Sequence, residues 1–537
     1  MNRRTFLGYG AAVGGLTLGG KARGKTAGHA TAHNGAFDLD EITLDKLRDG
    51  MKSGRFTSRS LVEKYLMRID AVDLHGASLR AVIELNPDAG RIAAELDRER
   101  EAKGPRGPLH GVPVLIKDNI DTGDRMSTSA GSLALAGSIA ARDSFVAERL
   151  RAAGAVILGK TNLSEWANFR STHSVSGWSG RGGQTRNPYA LDRNPCGSSA
   201  GTGAGVSANL CAVGVGTETD GSVVCPSSMN GIVGIKPTVG LISRAGIVPI
   251  SHSQDTAGPM ARTVRDAAIL LGALTGVDPR DAATGASNGK SQTDYTAYLD
   301  PRGLRGARIG VARKFFGFNA AVDKLMEECL AEMKRQGAEI VDPADLPSHG
   351  KFGDSEFEVL VYEFKTDLND YLKDLSPASR VHSLAEVIAF NDKEASREMP
   401  YFGQEIMTMA EKKGPLTDKA YLDALDKIHR LARAEGIDAV IAEHRVDAIV
   451  APTAGPAWLT DWVTGDHDGG GCSSPAAVAG YPHITVPAGF IRGLPVGISF
   501  FGAAWSEPAL LKLAYSFEQA TKARGAPRFL PTVNYKA

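Results

Sequence analysis

The chain has little cysteine. Cys196, Cys211, Cys225, Cys329 and Cys472 are scattered through 537 residues with no C-x-x-C pair and no metal-ligand spacing, which argues against a zinc module or a dithiol redox centre. An odd number cannot all pair within one chain. Most are therefore read as buried thiols, with disulfides possible but unsupported by the spacing. An excess of charge is also missing: 61 basic and 61 acidic residues give a formal net charge of +0. Nothing in that balance asks for nucleic acid or an anionic membrane as partner. There is no internal repeat and no linker long enough to separate two folding domains. The apolar run that ends at Gly20 is too short and too rich in glycine for a stable transmembrane helix.

Glycine and proline are what the chain has in quantity. The 62 glycines and 26 prolines are spread among apolar segments, a distribution that indicates tight turns rather than disorder. At the N-terminus, Arg3 and Arg4 precede Thr5, Phe6, Leu7 and a weakly apolar run. This resembles a twin-arginine export signal. Residues 1–32 are set aside as a targeting segment, with cleavage expected after Ala30, Thr31 and Ala32. Residues 33–537 then form the folded domain, which such a signal would deliver to the periplasm or outside the cell.

Hydrophobic periodicity places the elements. Residues 38–73 read as two amphipathic helices; in the second, Leu61, Val62, Tyr65, Leu66 and Ile69 share a face and Thr57 or Ser58 caps it. A strand is expected at 79–85, a helix at 88–103, and a buried strand over Val114 to Lys117. Lys117 can be read two ways. It can reach for solvent at a strand edge, or, held in a dry site, lose its proton near neutral pH and serve as a base. A helix at 145–153 stops at Gly154 and leads into a strand at 155–158. From about 291 to 443 the texture changes to long helices and charged loops, with a strand at 307–312, and is read as an insertion or cap. The core resumes with strands at 447–453, 484–489 and 494–500 and a final helix at 506–521.

Two motifs are decoys. Residues 154–161 match G-x-x-x-x-G-K-T, but a phosphate-binding loop follows a strand and opens a helix. Here the residues between the glycines are themselves the strand. Residues 197–201 have the G-x-S-x-G form, yet the preceding 187–195 is a proline-broken loop instead of the apolar strand that a nucleophile elbow needs.

The centre of the sequence is 196–234. Ser198 and Ser199, then Ser222, sit among glycines and are joined by a small-residue helix (202–210) and a buried strand (211–216). Glycine lets successive N–H groups point together at a bound group. A serine in that setting can be a nucleophile whose neighbours supply an oxyanion hole.

Lys117 in G-V-P-V-L-I-K-D, the G-S-S-A-G cluster and the T-D-G-S turn together resemble the amidase signature family, whose mechanism uses a Ser–cis-Ser–Lys triad. The serines at 198 and 222 stand 24 positions apart, as in that family. The resemblance extends from about 38 to 517 through G-P-M-A-R (258–262), I-V-A-P-T and G-L-P-V-G. It implies a single α/β/α domain around a large mixed β-sheet with a helical insertion. It also assigns Ser222 as nucleophile, Ser198 as bridging serine with a cis bond to Gly197, and Lys117 as base. The N–H groups of Thr219, Asp220, Gly221 and Ser222 would form the oxyanion hole, and no metal or organic cofactor is required.

Around the nucleophile the chain departs from the family pattern T-D-T-G-G-S-I-R. Glu218 replaces an aspartate, Asp220 a glycine and Val224 an arginine. With 162–171, 182–189 and 397–404, these departures resemble the bacterial peptide amidases, which convert a peptide's C-terminal amide to acid and ammonia. The expected partner is then a peptide or small-molecule amide, with no obligate partner subunit. A general small-amide amidase and the catalytic subunit of a tRNA-dependent amidotransferase are the alternatives, and the export signal argues against the second. Trp166, Asn168, Phe169 and Trp178 are expected to line the acyl side of the cleft, as aromatic packing surfaces and a backbone partner. Core packing is the other reading for Trp166 and Phe169. The leaving-group side is expected to be tight.

Overall fold

Runs such as Val114 to Ile116 and Val213 to Val215 are apolar or glycine at every position, the pattern of strands covered on both faces. The computed structural model, which describes residues 37–467 and 469–534, places them at the centre of one large sheet. The expected targeting segment lies outside the described residues. In chain order the strands are β1 (Val82–Leu85), β2 (Pro113–Lys117), β3 (Val156–Thr161), β4 (Trp178–Ser179), β5 (Gly183–Gln184), β6 (Val213–Glu218), β7 (Val233–Lys236), β8 (Thr256–Ala261), β9 (Arg308–Val311), β10 (Glu339–Val341), β11 (Ala448–Pro452), β12 (His483–Ile491) and β13 (Leu494–Phe501). Eleven of them form the sheet β1-β3-β2-β6-β8-β7-β12-β13-β11-β9-β10, and β4 pairs with β5 separately. β3, β2 and β6 run parallel, as do β11, β9 and β10; the other neighbours are antiparallel.

Helices cover both faces. Alternate residues of β11 fall into different cores, as the two-residue period of a strand demands. Ala448 and Val450 pack with helices Val264–Leu274, Ala320–Arg335 and Glu507–Thr521. Ile449 and Ala451 pack with Lys419–Ala432 and Ser474–Ala479. The helix at 58–68 begins as the sequence indicates: Thr57 Oγ1 accepts from Ser60 N at 3.0 Å and Ser60 Oγ accepts from Thr57 N at 2.9 Å, a reciprocal capping box.

One expectation needs correction. The 291–443 stretch is not wholly an insertion, because β9 and β10 within it extend the sheet, β9 pairing with β11 through Ile309 opposite Ala448. Its addition to the sheet is helical and starts at helix Gly353–Lys373. Cys196 and Cys225 form a disulfide, while Cys211, Cys329 and Cys472 are buried thiols. The rejected phosphate loop is indeed ladder: Gly159 pairs with Leu85 of β1 and Lys160 with Ile116 of β2, so those amides hold strands together. Among the described residues no helix is long and apolar enough to cross a membrane.

Candidate active site

β2 delivers Lys117 to the centre of the sheet. Its parallel register with β6 sets Ile116 opposite Val215 and so brings Lys117 beside Thr217. Lys117 is fully buried; its Nζ lies 2.7 Å from Ser198 Oγ and 2.8 Å from Thr217 Oγ1, with the Thr217 carbonyl at 3.3 Å. Burial pushes its pKa down to about 7, against weaker opposing pulls from Asp255 and Glu218. All three contacts are ones to which Nζ can donate; in the neutral form two N–H groups serve Thr217 and the lone pair is free to accept from the Ser198 hydroxyl. The Asn119 Nδ2 donates to Thr217 Oγ1 at 3.0 Å and fixes that hydroxyl.

Ser198 arrives on the loop before helix Ala200–Ser207, with a cis bond between Gly197 and Ser198. A side chain at Gly197 would come within 2.2 Å of Ser164 Oγ, so the loop can pass there only as glycine. Ser199, the serine of the hydrolase-elbow decoy, is committed elsewhere. Its Oγ donates to Thr217 O at 3.0 Å and accepts from Thr217 N at 3.2 Å, and its N–H donates to Ser222 O at 3.1 Å.

Ser222 stands on the turn between β6 and helix Val224–Met229. Glu218, at the end of β6, folds back so that its Oε2 accepts from Val223 N at 2.7 Å and Val224 N at 3.0 Å. Thr219 Oγ1 donates to Asp255 at 2.5 Å. These two anchors pin the ends of the turn, and Gly221, at φ +78, supplies the left-handed residue between them. Among the described residues the N–H groups of Asp220, Gly221 and Ser222 make no hydrogen bond, and Asp220 and Gly221 border a cleft. The chain of hydrogen bonds expected from Lys117 to Ser222 is closed at its first link and open at its second: no bond joins Ser198 Oγ to Ser222 Oγ. Ser198 is fully buried and Ser222 is 8% exposed, so Ser222 is the one that a ligand can reach.

Asp220, Gly221 and Val224 line a cleft of about 410 Å³ whose opposite wall includes Asn168, Ser176 and Asp466. Of the four residues expected on the acyl side, Asn168 lines this cleft. Its Nδ2 donates to Ser176 Oγ at 2.9 Å, and its Oδ1 is buried without a donor. Trp166, Ala167 and Asn168 all have positive φ, a left-handed turn that turns the two flanking aromatics inward. Trp166 and Phe169 pack in a core with Phe364, whose ring centroid is 5.1 Å from that of Phe169. Trp178 meets Phe402 at 5.2 Å with Arg170 above it. None of these three aromatics lines the cleft: Trp166 and Phe169 pack against helix Gly353–Lys373, and Trp178 against the loop that carries Tyr401 and Phe402.

Sequence reasoning missed several parts. The disulfide joins the Ser198 loop to the helix after Ser222, and both cysteines line the cleft. Asp466 fixes the opposite wall by accepting from Ser176 N at 3.0 Å and Trp458 Nε1 at 3.2 Å; no periodicity marks it, because it lies in an irregular loop. Among the described residues one group brings ligand atoms together as a metal would need: His252, Glu363 and Asp367. Both ring nitrogens already face carboxylates, at 2.9 Å from Asp367 and 3.3 Å from Glu363, a pairing that needs no ion.

Along most of its length the chain is similar to known amidases. The family model described as Amidase matches residues 60–511. A crystal structure of the peptide amidase PAM with the competitive inhibitor chymostatin superposes with a TM-score of 0.89 at 52% identity, covering 91% of this chain and 99% of that one. The native peptide amidase from Stenotrophomonas maltophilia gives a TM-score of 0.87 at 52% identity, over 92% of this chain and 99% of its own. An Arabidopsis thaliana protein named as a probable amidase is 45% identical over 92% of this chain and 93% of its own length. With a family model across most of the sheet and relatives matched nearly end to end, this chain belongs to the amidase signature family and is a hydrolase of the carbon–nitrogen bond of linear amides.

Proposed function

We propose that this amidase removes the C-terminal amide of peptides, giving a free carboxylate and ammonia, through an acyl-enzyme on Ser222. The observation that carries the reading is the buried Lys117 amine, at a pKa of about 7 and 2.7 Å from Ser198 Oγ. In this mechanism neutral Lys117 takes the Ser198 proton as Ser198 takes that of Ser222, and Ser222 attacks the amide carbonyl. Substrate binding closes the second link, as is common when an apo site tightens on its ligand. The N–H groups of the 219–222 turn receive the oxyanion, each such donor being worth about 3 kcal/mol of barrier. The relay run backward gives the proton to the leaving nitrogen. Water then attacks the acyl-enzyme and releases the acid.

The peptide preference is supported by the 52% identity to peptide amidases and by Asn168, whose unpartnered Oδ1 suits a peptide N–H. A tight leaving-group side, able to admit NH₂ alone, would spare internal peptide bonds. We place the mature enzyme in the periplasm or outside the cell, on the strength of the twin-arginine-type N-terminus. Incubation of purified protein with an amidated peptide, without ATP or a partner subunit, tests the reaction. Ammonia release with a gain of about one mass unit at the C-terminus is expected for amide-to-acid conversion. Internal fragments would indicate an endopeptidase. Hydrolysis of small amides alone would leave a general amidase, and a requirement for ATP or a second subunit would favour the amidotransferase reading.

A further inference from the structure

Asp220 stands where the family pattern has glycine, two residues before Ser222, and its side chain is unusual. Its Oδ2 accepts from Ser474 Oγ at 2.6 Å, while Oδ1 is buried with no N–H or hydroxyl donor. Facing it is Glu356, near the start of helix Gly353–Lys373, 8% exposed and in hydrogen-bonding contact with the Asp220 carboxyl. Two carboxyl groups can bond only if one keeps its proton. Gln254 holds Glu356 in place: its Nε2 donates to Glu356 Oε1 at 3.0 Å and reaches Thr219 O at 3.4 Å. The turn that carries Ser222 is thereby tied to the helical addition through one acid pair and one amide.

We propose that Glu356 is a positioning residue: its carboxyl proton, donated to Asp220, tethers the oxyanion turn to helix Gly353–Lys373. Burial, reinforced by the charge of Asp220, pushes the Glu356 pKa well above the usual carboxylate range. The charge of Asp220 also acts on Glu218 at the end of β6, on Lys236 of β7 and on the Cys472 thiol in the loop before helix Ser474–Ala479, and Asp255 holds the adjoining Thr219. Loss of the Glu356 proton puts two negative charges across the tether and releases the turn. The proposal rests on the reading of that turn as the oxyanion site.

The test is the pH profile of kcat, with Glu356→Gln and Glu356→Ala beside the parent enzyme. The parent should show a rising limb from Lys117 and a falling alkaline limb from the acid pair. Glu356→Gln, whose amide donates to Asp220 without a titrating proton, should keep kcat within about twofold at neutral pH and lose the falling limb. Glu356→Ala should lower kcat at every pH by up to about 100-fold, the scale of a misplacement of about 1 Å. A Gln variant with the parent's falling limb, or an Ala variant with the parent's kcat, overturns the proposal. A second readout does not depend on substrate. A carboxyl whose folded pKa is raised makes stability fall as pH rises from its unfolded value toward its folded one. The Tm difference between Glu356→Gln and parent should therefore grow in favour of Gln over that range, and a constant difference contradicts the tether. If no amide is hydrolysed while this Tm difference appears, the functional reading fails and the acid pair stands.

Discussion

Lys117 and Lys160 occupy neighbouring parallel strands, both fully buried, and only one of them is placed to do chemistry. Lys160 Nζ donates to Ile120 O at 2.6 Å and Thr128 Oγ1 at 3.0 Å, with Asp118, Asp121 and Asp124 opposing the effect of burial. Those two bonds hold the 118–128 loop against β3. Neither amine is hydrogen-bonded to a carboxylate; Lys117 meets two hydroxyls, one of which belongs to Ser198. Burial lowers the pKa of both, so burial alone does not make a base. The partners decide: Lys160 is tied to a carbonyl and a hydroxyl of the 118–128 loop, while the Ser198 hydroxyl gives Lys117 somewhere to draw a proton from.

Mutations sharpen this contrast. The largest effect is expected for Ser222→Ala, a loss of about 10⁴-fold or more in kcat, since removal of a nucleophile leaves only binding and the oxyanion site. Lys117→Met should follow, at about 10²–10⁴-fold, the usual contribution of a general base. In the parent enzyme, kcat/KM should rise about tenfold per pH unit below a pH of about 7, because protonated Lys117 cannot accept, and stop rising above it until the alkaline fall of the acid pair sets in. The Met variant should lack that limb. Lys160→Met should do the reverse, retaining kcat and its pH limb while losing about 1–3 kcal/mol of stability through the stranded Ile120 carbonyl; denaturant titration reads it. A Lys160 variant that abolished turnover while Lys117→Met remained active would invert the comparison.

Smaller effects probe the cleft. Asn168→Ala should raise KM for a peptide amide by roughly fivefold with kcat little changed, as the loss of one hydrogen bond in uniform binding would. Ser199→Ala should cost about 1–3 kcal/mol of stability, because Thr217 N loses its acceptor, with activity close to the parent's. A dead Ser199→Ala beside an active Ser222→Ala would restore the elbow motif that the proline-broken loop argued against.

The same contrast explains what could be read from sequence. Strand β2 was legible from its apolar run and the 196–234 loop from its glycines, whereas the roles of Lys117, Ser198 and Ser222 came from resemblance to a family, since a lysine at a strand end or a serine in a glycine-rich loop reads alike with or without chemistry. The alternating pattern of β9 was legible as a strand. Its membership of the main sheet was not, since pairing with β11 joins residues some 140 positions apart and leaves no local trace. The cleft wall was legible only as resemblance. Trp166 and Phe169 look the same in sequence whether they face a ligand or a helix, and the left-handed turn at 166–168 that decides between them carries no glycine to announce it. Glu356 is invisible to any motif, because its partner lies on another element far along the chain. The Cys196–Cys225 pair could not be chosen from five cysteines without the fold.

The central claim is an acyl-enzyme on Ser222. Rapid acid quenching of the enzyme with an amidated peptide, followed by intact-protein and peptide-level mass spectrometry, tests it most directly. The account predicts an adduct equal to the peptide acyl group, located on Ser222 and absent from Ser222→Ala. An adduct on Ser199 or another residue, or steady amide hydrolysis by Ser222→Ala, would contradict it.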